Sequence, residues 1–401
     1  MRPSVRARIV CVSCAALLAV PVEAVAQQDA TGSDGGLRGH KRFLYALAGA
    51  VAAGVPAYLV GGGRSAGGFC SSRTCLTGLG VVMGGGVGFL IGLEHDQKLT
   101  RRLQKGPTLQ YAHQVIALSV VPEEIVPFRS GAVVTGIGGA ELVYADGRTV
   151  SRARGIRGIE DAAVMEPQDL VVFATASGLL AFPLSGDTVR GSLLDRTGGS
   201  ALEAIDADLA VGDASEIRLL RVTAPVGESP SAERVAAVAS GGLVVDLRWS
   251  PFSRAAWALI EDRLVAYAPG SLDRLGELTL PAPGLTMRIR GDRAVIAAGS
   301  GGVILVDIAD PTAPRVVQVI RGIRFAYSAD LYADRLHVAA GPEGLVVIDV
   351  SDESAPQVLG VARSARFVRD VLAEEGKVWV LDRDGRRVEI AEITAAETAA
   401  R

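Results

Sequence analysis

The sequence predicts an all-β fold, a seven-bladed β-propeller of four-stranded blades, with an N-terminal helical hairpin before it. A unit with one order of Gly, Asp and Pro recurs at a fixed interval, and its apolar stretches are short, β-branched and bounded by turn residues. Repeats of about 40 residues are typical of propellers and solenoids, and such apolar stretches are typical of strands. Two glycine-rich apolar runs near the N-terminus predict the hairpin.

The two clearest copies of the unit lie in the C-terminal third of the chain. Their equivalent positions, 42 residues apart, are Gly302 and Gly344, Asp307 and Asp349, and Pro314 and Pro356. Gly supplies the backbone angles that turns need, and Pro presets φ at the entry to a strand. We expect each Asp to accept backbone N–H bonds in the turn after its strand.

These two copies resemble the bacterial LVIVD-repeat family of β-propellers. The matching motifs are Leu-Val-Asp-Ile at 305–308 and Leu-Val-Val-Ile-Asp-Val at 345–350. The resemblance implies the propeller fold and its repeat. It implies no particular activity, because propellers host many unrelated functions.

Aligning the strand that holds the repeat Asp gives seven copies of the unit. Its aligned first positions are Ala140, Gly178, Glu216, Arg263, Gly302, Gly344 and Arg386. The step of 47 residues contains residues 225–234, which we interpret as a surface loop. The last copy lacks an outer strand, and residues 113–120 resemble the outer strand at 355–361. We therefore predict that the two ends of the propeller pair and close the ring.

The N-terminal region predicts export. Residues 1–26 have a basic start, an apolar core and a small-residue cleavage site, as in a secretory signal peptide. Residues 27–42 are a polar linker, residues 95–112 a second linker, residues 113–393 the propeller and residues 394–401 a tail. We expect the propeller in the periplasm or outside the cell.

Residues 43–94 hold two Gly/Ala-rich apolar runs, each long enough to span a bilayer. Small residues at four-residue spacing let helices pack closely in lipid, which favours a glycine-zipper hairpin that attaches the protein to a membrane. A buried helical pair beside the propeller is the alternative.

The membrane topology of the hairpin stays open. An exported propeller places the hairpin loop in the cytoplasm, but most basic residues flank the hairpin, and basic residues favour the cytoplasmic side. A hairpin that enters the membrane without crossing it would remove this conflict. Cys70 and Cys75 in that loop could form a disulfide only in an oxidising compartment.

Composition and motifs favour a protein without enzymatic activity. The net charge of −3 gives no reason to expect nucleic-acid binding. The four histidines have no metal-ligand spacing, and no nucleophile elbow or phosphate-binding loop with its Lys-Ser/Thr ending occurs. We interpret His337 as a strand residue that faces a neighbouring blade. No cofactor is predicted beyond the cation discussed next.

One group of carboxylates could meet in the central channel. Asp161, Asp246, Asp330 and Asp370 each lie at the start of a predicted innermost strand. Innermost strands line the channel of a propeller, so these four could bind a hard cation such as calcium. The alternative, which we favour, is that each Asp caps a turn within its own blade.

Five large aromatic residues could form a partner or sugar site at the rim or belong to the core. They are Trp249, Trp257, Trp379, Phe325 and Phe367. Their neighbours follow strand patterns, which favours core packing.

The favoured function is a non-enzymatic binding or scaffolding propeller of the cell envelope. It would be tethered to a membrane through residues 43–94 and would recognise a protein or an envelope polymer through loops on one face. The alternative is a propeller-type hydrolase or lyase that uses channel-lining carboxylates with a bound metal. In a third reading the hairpin itself oligomerises and the propeller is a cap.

Overall fold

The computed structural model describes residues 107–392 apart from 112, 130, 157, 186–190, 226–227 and 353–354. The predicted signal peptide, the 27–42 linker, the hairpin with Cys70 and Cys75, and the tail lie outside the described residues. Within them, no helix is long and apolar enough to cross a membrane.

The described chain forms seven antiparallel sheets of four strands, which are the blades of a propeller and confirm the predicted fold. The strands, blade by blade, are β2 (Val121–Phe128), β3 (Gly131–Ile137), β4 (Gly139–Tyr144) and β5 (Thr149–Arg152); β6 (Ile159–Met165), β7 (Leu170–Thr175), β8 (Gly178–Pro183) and β9 (Ser192–Asp195); β10 (Ala201–Ile205), β11 (Asp208–Gly212), β12 (Glu216–Thr223) and β13 (Ser231–Ala239); β14 (Val244–Ser250), β15 (Ala255–Ile260), β16 (Arg263–Tyr267) and β17 (Arg274–Thr279); β18 (Thr286–Arg290), β19 (Arg293–Ala297), β20 (Val303–Asp307) and β21 (Arg315–Ile320); β22 (Ser328–Tyr332), β23 (Arg335–Ala339), β24 (Leu345–Asp349) and β25 (Gln357–Ala362); and β26 (Val368–Glu374), β27 (Lys377–Asp382), β28 (Arg387–Glu392) and β1 (His113–Ala117). A 3-10 helix at Glu166–Gln168 separates β6 from β7.

The seventh blade joins the two ends of the propeller. Strand β1 pairs antiparallel with β28, and Ile116 lies opposite Val388. This pairing confirms the predicted closure of the ring. It removes the strand edges that an open ring would expose at its two ends.

The second and third strands of the blades are covered on both faces by neighbouring blades. Every residue of β7 and of β15 is buried. Such continuous burial explains why these strands are nearly all apolar instead of alternating. Trp257 and Trp379 belong to the cores between blades, with 0% and 1% of their surface exposed, which confirms the core interpretation for these two residues.

The repeat glycines allow close approach of the third and fourth strands. Gly302 and Gly344 have φ angles of +87° and +100°. A Cβ atom at Gly302 would lie 2.0 Å from the Ile320 carbonyl oxygen, and one at Gly344 would lie 2.2 Å from that of Ala362. Only Gly avoids both the strain of a positive φ angle and the clash of a Cβ atom with the carbonyl oxygen at these positions.

The repeat aspartates bind the turns that follow their strands. Asp307 accepts a hydrogen bond from the Ala309 N–H (3.1 Å), and Asp349 accepts one from the Ser351 N–H (2.9 Å). Asp307 also receives the guanidinium of Arg315 at 2.8 Å. Each carboxylate therefore fixes the start of a turn between the third and fourth strands of its blade.

The prediction of a surface loop at residues 225–234 is wrong for residues 231–234. Residues from Ser231 onward belong to β13, which pairs with β12 as far as Thr223 opposite Ser231. The outer strand β13 has one face towards solvent, and its first four residues are Ser, Ala, Glu and Arg. These mostly polar residues and the nearby prolines are also typical of a loop.

The first strand of each blade is the innermost one, and these seven strands contact one another in a ring around the channel. Because all pairing is antiparallel, the loops between blades lie at the same end of the propeller as the turns between second and third strands. We call this end the upper face. Its interblade loops are residues 118–120, 153–158, 196–200, 240–243, 280–285, 321–327 and 363–367.

Candidate functional site

A cavity of about 170 Å³ lies in the central channel towards the upper face. Charged side chains from several blades meet along its wall. The charged lining residues are Glu123, Glu124, Glu160, Asp161, Asp246, Arg248, Arg288, Arg369 and Asp370. Of the four aspartates singled out in the sequence, three therefore reach this cavity and Asp330 does not.

Each of the four aspartates accepts a hydrogen bond from a backbone N–H on the inner strand of the next blade. The pairs are Asp161 with Leu202 (2.6 Å), Asp246 with Met287 (2.7 Å), Asp330 with Ala373 (2.8 Å) and Asp370 with Ile125 (2.8 Å). The favoured expectation placed the bonds of these aspartates within single blades. Asp161, Asp330 and Asp370 do accept the N–H of the next residue in their own strand. All four also connect blades, in a series of links around the channel.

Two arginines neutralise part of this carboxylate group. Arg248 lies 2.9 Å from Asp246, 3.7 Å from Glu124 and 3.8 Å from Glu203. Arg288 lies 3.1 Å from Asp370. Glu124, Asp161, Glu203, Asp246, Arg248, Arg288 and Asp370 are called the channel cluster below. The cluster has five carboxyl groups and two guanidinium groups, so full ionisation would leave an excess of negative charge.

Sequence reasoning missed four members of the channel cluster. Glu124 was missed because it is a Glu at the position where four other blades have Asp. Its strand has the same irregularity in pairing, between Pro122 and Glu124, that precedes Asp246. Arg248 lies two residues after Asp246, and this period-two spacing along an inner strand was the signal that could have found it.

The pKa values of four carboxyl groups of the channel cluster are raised, two of them buried (Asp161 and Asp246) and two partly buried (Glu124 and Glu203). Burial, together with the nearby carboxylates of Asp246 and Asp161, raises the pKa of Glu203 to about 7 against the lowering effect of Arg248. Burial and Asp161 raise the pKa of Asp246 to about 6. Burial also raises the pKa of Glu124 and of Asp161. The channel cluster can therefore hold protons close to neutral pH.

Within the described residues, no group of three or more His, Cys, Asp or Glu side chains is placed to hold a metal ion. Asp330 is bound by Arg290 at 2.6 Å, and Asp370 by Arg288. Calcium binding at the four aspartates stays a prediction.

His337 lies in β23 with 1% of its surface exposed. Burial lowers the pKa of its imidazole to about 4, so the ring is neutral at physiological pH. It lies opposite Asp330 of the adjacent strand. A neutral, buried ring of this kind belongs to the packing of its blade.

Phe325 and Phe367 differ from the core interpretation. Both are partly buried on the upper face, in the loops 321–327 and 363–367. Their rings flank Tyr327, with centroid distances of 4.5 Å and 5.0 Å. These loop aromatics lie beside the mouth of the channel, because Arg369 of the cavity wall lies over the Tyr327 ring at 5.6 Å.

The comparisons with known proteins agree with this architecture. Residues 286–320 and 326–361 match the family model described as LVIVD repeat, and they coincide with the fifth and sixth blades. The chain therefore carries two LVIVD repeats, as the resemblance implied. No curated protein matches the chain significantly in sequence.

Many solved structures share the propeller fold. A chain of the Mitotic Checkpoint Complex has a TM-score of 0.57 at 9% identity, with 72% of this chain and 93% of that chain covered. The WD40 β-propeller domain of Doa1 has a TM-score of 0.53 at 13% identity, with 71% and 99% covered. The β-propeller domain of Myceliophteria_thermophila Cps50 (Swd1) has a TM-score of 0.56 at 10% identity, with 71% and 100% covered. At these identities the likeness shows the fold alone.

Proposed function

We propose that this protein is a non-enzymatic binding or scaffolding propeller of the cell envelope, which recognises a protein through loops of its upper face. The observation that carries the proposal is that the channel carboxylates form hydrogen bonds between blades. Each of the four sequence-predicted aspartates holds a backbone N–H of the next blade, so these groups stabilise the ring. A rigid ring that presents loops at one end is the usual form of a binding propeller.

Two further points support the proposal. One solved structure of similar fold is part of an assembly, the Mitotic Checkpoint Complex. The signal-like segment at residues 1–26 and the apolar runs at residues 43–94 support an exported, membrane-attached protein. In this arrangement the hairpin tethers the propeller and the upper face binds.

Affinity capture from detergent-solubilised native membranes tests the proposal. The full-length mature protein is compared with a chain that starts at Gly106, which keeps the Pro107 carbonyl that accepts the Val361 N–H at 3.1 Å. We expect both forms to capture the same protein partner. Capture by the full-length form alone would assign the interaction to the hairpin and contradict the proposal.

A second candidate function is a propeller-type hydrolase or lyase that acts through the channel cluster. The observation that favours it is the presence of Asp246, with a pKa of about 6, on the wall of the 170 Å³ cavity, and of Glu203, with a pKa of about 7, next to Arg248. Groups that titrate near neutrality suit general acid–base catalysis. Cleavage of envelope polysaccharide that is lost in both Glu203→Gln and Asp246→Asn would support this function.

The associated metal is tested without reference to activity. If calcium binds the four aspartates, it raises the melting temperature of the protein, and Asp161→Asn removes that rise. An unchanged melting temperature in excess calcium would rule out the metal form of this candidate.

A further inference from the structure

The upper face carries a second repeated motif, separate from the LVIVD repeat. Arg-x-x-Arg-Phe occurs at residues 321–325 and again, 42 residues later, at residues 363–367. These two loops join the fifth blade to the sixth and the sixth to the seventh. The motif therefore appears twice, side by side, on neighbouring blades.

The aromatic residues of the two loops form one apolar strip. Phe325, Tyr327 and Phe367 contact one another through ring centroids 4.5 Å and 5.0 Å apart. Leu285, with 40% of its surface exposed, lies beside Phe325 at the turn that contains Gly299. The strip thus runs over the junctions between three blades.

Glycine turns under the strip hold the rings in place. A Cβ atom at Gly299 would lie 3.0 Å from the Phe325 ring, and one at Gly341 would lie 3.3 Å from the equivalent Phe367 ring and 2.6 Å from the Tyr327 ring. Gly299 and Gly341 are also 42 residues apart. The same construction of a glycine turn and a loop aromatic is thus repeated in both blades, which marks the strip as a built feature of the upper face.

Arginines surround the strip. The segments 321–327, 363–369 and 383–387 contain eight arginines and one acidic residue, although the whole chain has a net charge of −3. Arg387 pairs with the buried Asp382 and Glu389, so its charge is already matched within the propeller. Arg363 and Arg366 are exposed. Arg369 and Arg383 lie over the rings of Tyr327 and Phe367, and both bind Glu123 at 2.7 Å and 2.8 Å. We call the strip and these arginine segments the arginine–aromatic ridge.

The charge and shape of the ridge select among anionic partners. The rings are tilted by 46° and 62° to one another, so they do not form one continuous flat platform along which a sugar chain could stack. The three rings are partly buried and Leu285 is the strip's more exposed apolar side chain, so the strip offers little apolar surface to a bilayer. An extended peptide can place aliphatic side chains on the apolar strip and carboxylates against the guanidinium groups, which bind carboxylates in a bidentate way. Arginine and aromatic residues are also the groups enriched at the centres of protein interfaces.

We infer that the arginine–aromatic ridge docks an acidic segment of a separate protein, in which carboxylate and aliphatic side chains are interspersed. The inference rests on the proposed function and names the chemistry of the partner and the part of the upper face that binds it. Charge complementarity with the basic ridge gives the segment its acidic character, and the apolar strip gives it its aliphatic residues.

The test uses fluorescence anisotropy with the full-length mature protein and a labelled peptide of three Asp-Glu-Leu-Ser repeats. One control peptide has Ser in place of Leu, and another has Asn and Gln in place of the acids. We expect the parent peptide to bind roughly tenfold more tightly than either control, and its affinity to fall as salt is raised. Equal binding of the three peptides would overturn the inference.

The matched variants are Arg363→Glu and Arg154→Glu. Arg154 begins the sequence Arg-Gly-Ile-Arg-Gly in the upper-face loop 153–158, where Gly158 stands in the place of the ridge phenylalanine. Both arginines are exposed and both changes alter the charge equally. We expect Arg363→Glu to weaken peptide binding roughly tenfold, and Arg154→Glu to weaken it less than about twofold. Equal effects would show only a general electrostatic attraction and would overturn the inference.

Phe367→Ser examines the apolar strip separately, with the melting temperature as the check on folding. We expect weaker peptide binding by a folded variant, and unchanged binding would overturn the inference.

Alternative anionic ligands are tested with the same Arg363→Glu variant. The inference would be overturned if this change weakened binding of a polyuronate or of anionic phospholipid vesicles but left peptide binding unchanged. If affinity capture finds a partner but Arg363→Glu leaves capture unchanged, the proposed function stands and the ridge is excluded. If no form of the protein captures a partner, the proposed function itself fails.

Discussion

Asp370 links three blades through one carboxyl group. It lies in the seventh blade and accepts the Ile125 N–H of the first blade at 2.8 Å. Arg288 of the fifth blade reaches it at 3.1 Å and also donates to the Ile125 carbonyl at 2.8 Å. With 4% of its surface exposed, Asp370 is a buried carboxyl group whose hydrogen bonds all come from these partners and its own strand.

Replacing Asp370 therefore removes a buried link of the ring. Asp370→Ala leaves the Arg288 charge and the Ile125 N–H without their partner, which we expect to cost about 3–5 kcal/mol of unfolding free energy. Urea denaturation measures the loss. The exposed Asp384, in an upper-face turn, is the control, and Asp384→Ala should change stability by less than about 0.5 kcal/mol. Equal midpoints for both variants would contradict the role of Asp370.

Glu203 makes stability depend on pH in the opposite direction to an ordinary paired carboxylate. Its pKa rises from 4.5 to about 7 on folding, so the folded state binds the proton more tightly. The stabilisation is complete below pH 4.5 and is lost as pH rises towards 7, by at most roughly 3 kcal/mol. Glu203→Gln cannot titrate, and the stability of the native protein relative to this variant should fall over that range.

Denaturation of both forms at a series of pH values checks this prediction. The comparison with Glu203→Gln is needed because burial lowers the pKa of His337 to about 4, and that group adds stability as pH rises. The difference between the two forms cancels the contribution of His337. A difference that stays constant between pH 4.5 and 7 would contradict the assignment.

At the residue scale, the sequence identifies the important side chains better than it identifies the groups that they bind. It identified the four inner-strand aspartates by their recurrence. Their interblade partners could not be predicted, because those N–H groups lie on another blade and any backbone N–H looks the same in a sequence. Phe325 and Phe367 were assigned to the core since a local pattern does not separate a loop that closes an interblade junction from the strand next to it.

At the element scale, β1 holds the ring closed. Ile116 has 5% of its surface exposed and packs with Trp379 and Ile125 in the core between the seventh and first blades. The adjacent Val115 is 48% exposed on the same strand. Both residues belong to the same paired strand but differ in burial. Replacing each in turn therefore separates the contribution of side-chain packing in β1 from that of its backbone pairing.

Ile116→Ala should lower the unfolding free energy by about 2–5 kcal/mol, whereas Val115→Ala should change it by less than about 0.5 kcal/mol. Chemical denaturation of the two variants gives both values. A small effect of Ile116→Ala would mean that the ring is stable without close packing of β1.

The closing strand was predictable, but the long outer strand β13 was not. Residues 113–120 resemble another outer strand of the same chain, so the internal repeat supplied the evidence. Strand β13 extends beyond the repeat, and its first residues have no counterpart in other blades. An insertion shows where the repeat is interrupted without showing whether the added residues pair.

At the scale of the whole molecule, the features that point to binding gather at the upper face. Around the upper face lie the channel cavity, the repeated Arg-x-x-Arg-Phe loops and the arginine–aromatic ridge. The seven-bladed ring was predictable because each blade repeats one pattern of burial and turns. The ridge was not, since it arises only when two loops 42 residues apart are brought together by neighbouring blades.

The most direct measurement is hydrogen–deuterium exchange of the full-length protein with and without its captured partner. Binding through the upper face predicts slower exchange in the loops 321–327 and 363–367 and in the turn 383–386 on addition of the partner. The loop 153–158, at the same end of the ring, should be unchanged. Protection confined to residues 43–94, or to the outer strands of the blades, would contradict the account that the upper face is where this propeller binds.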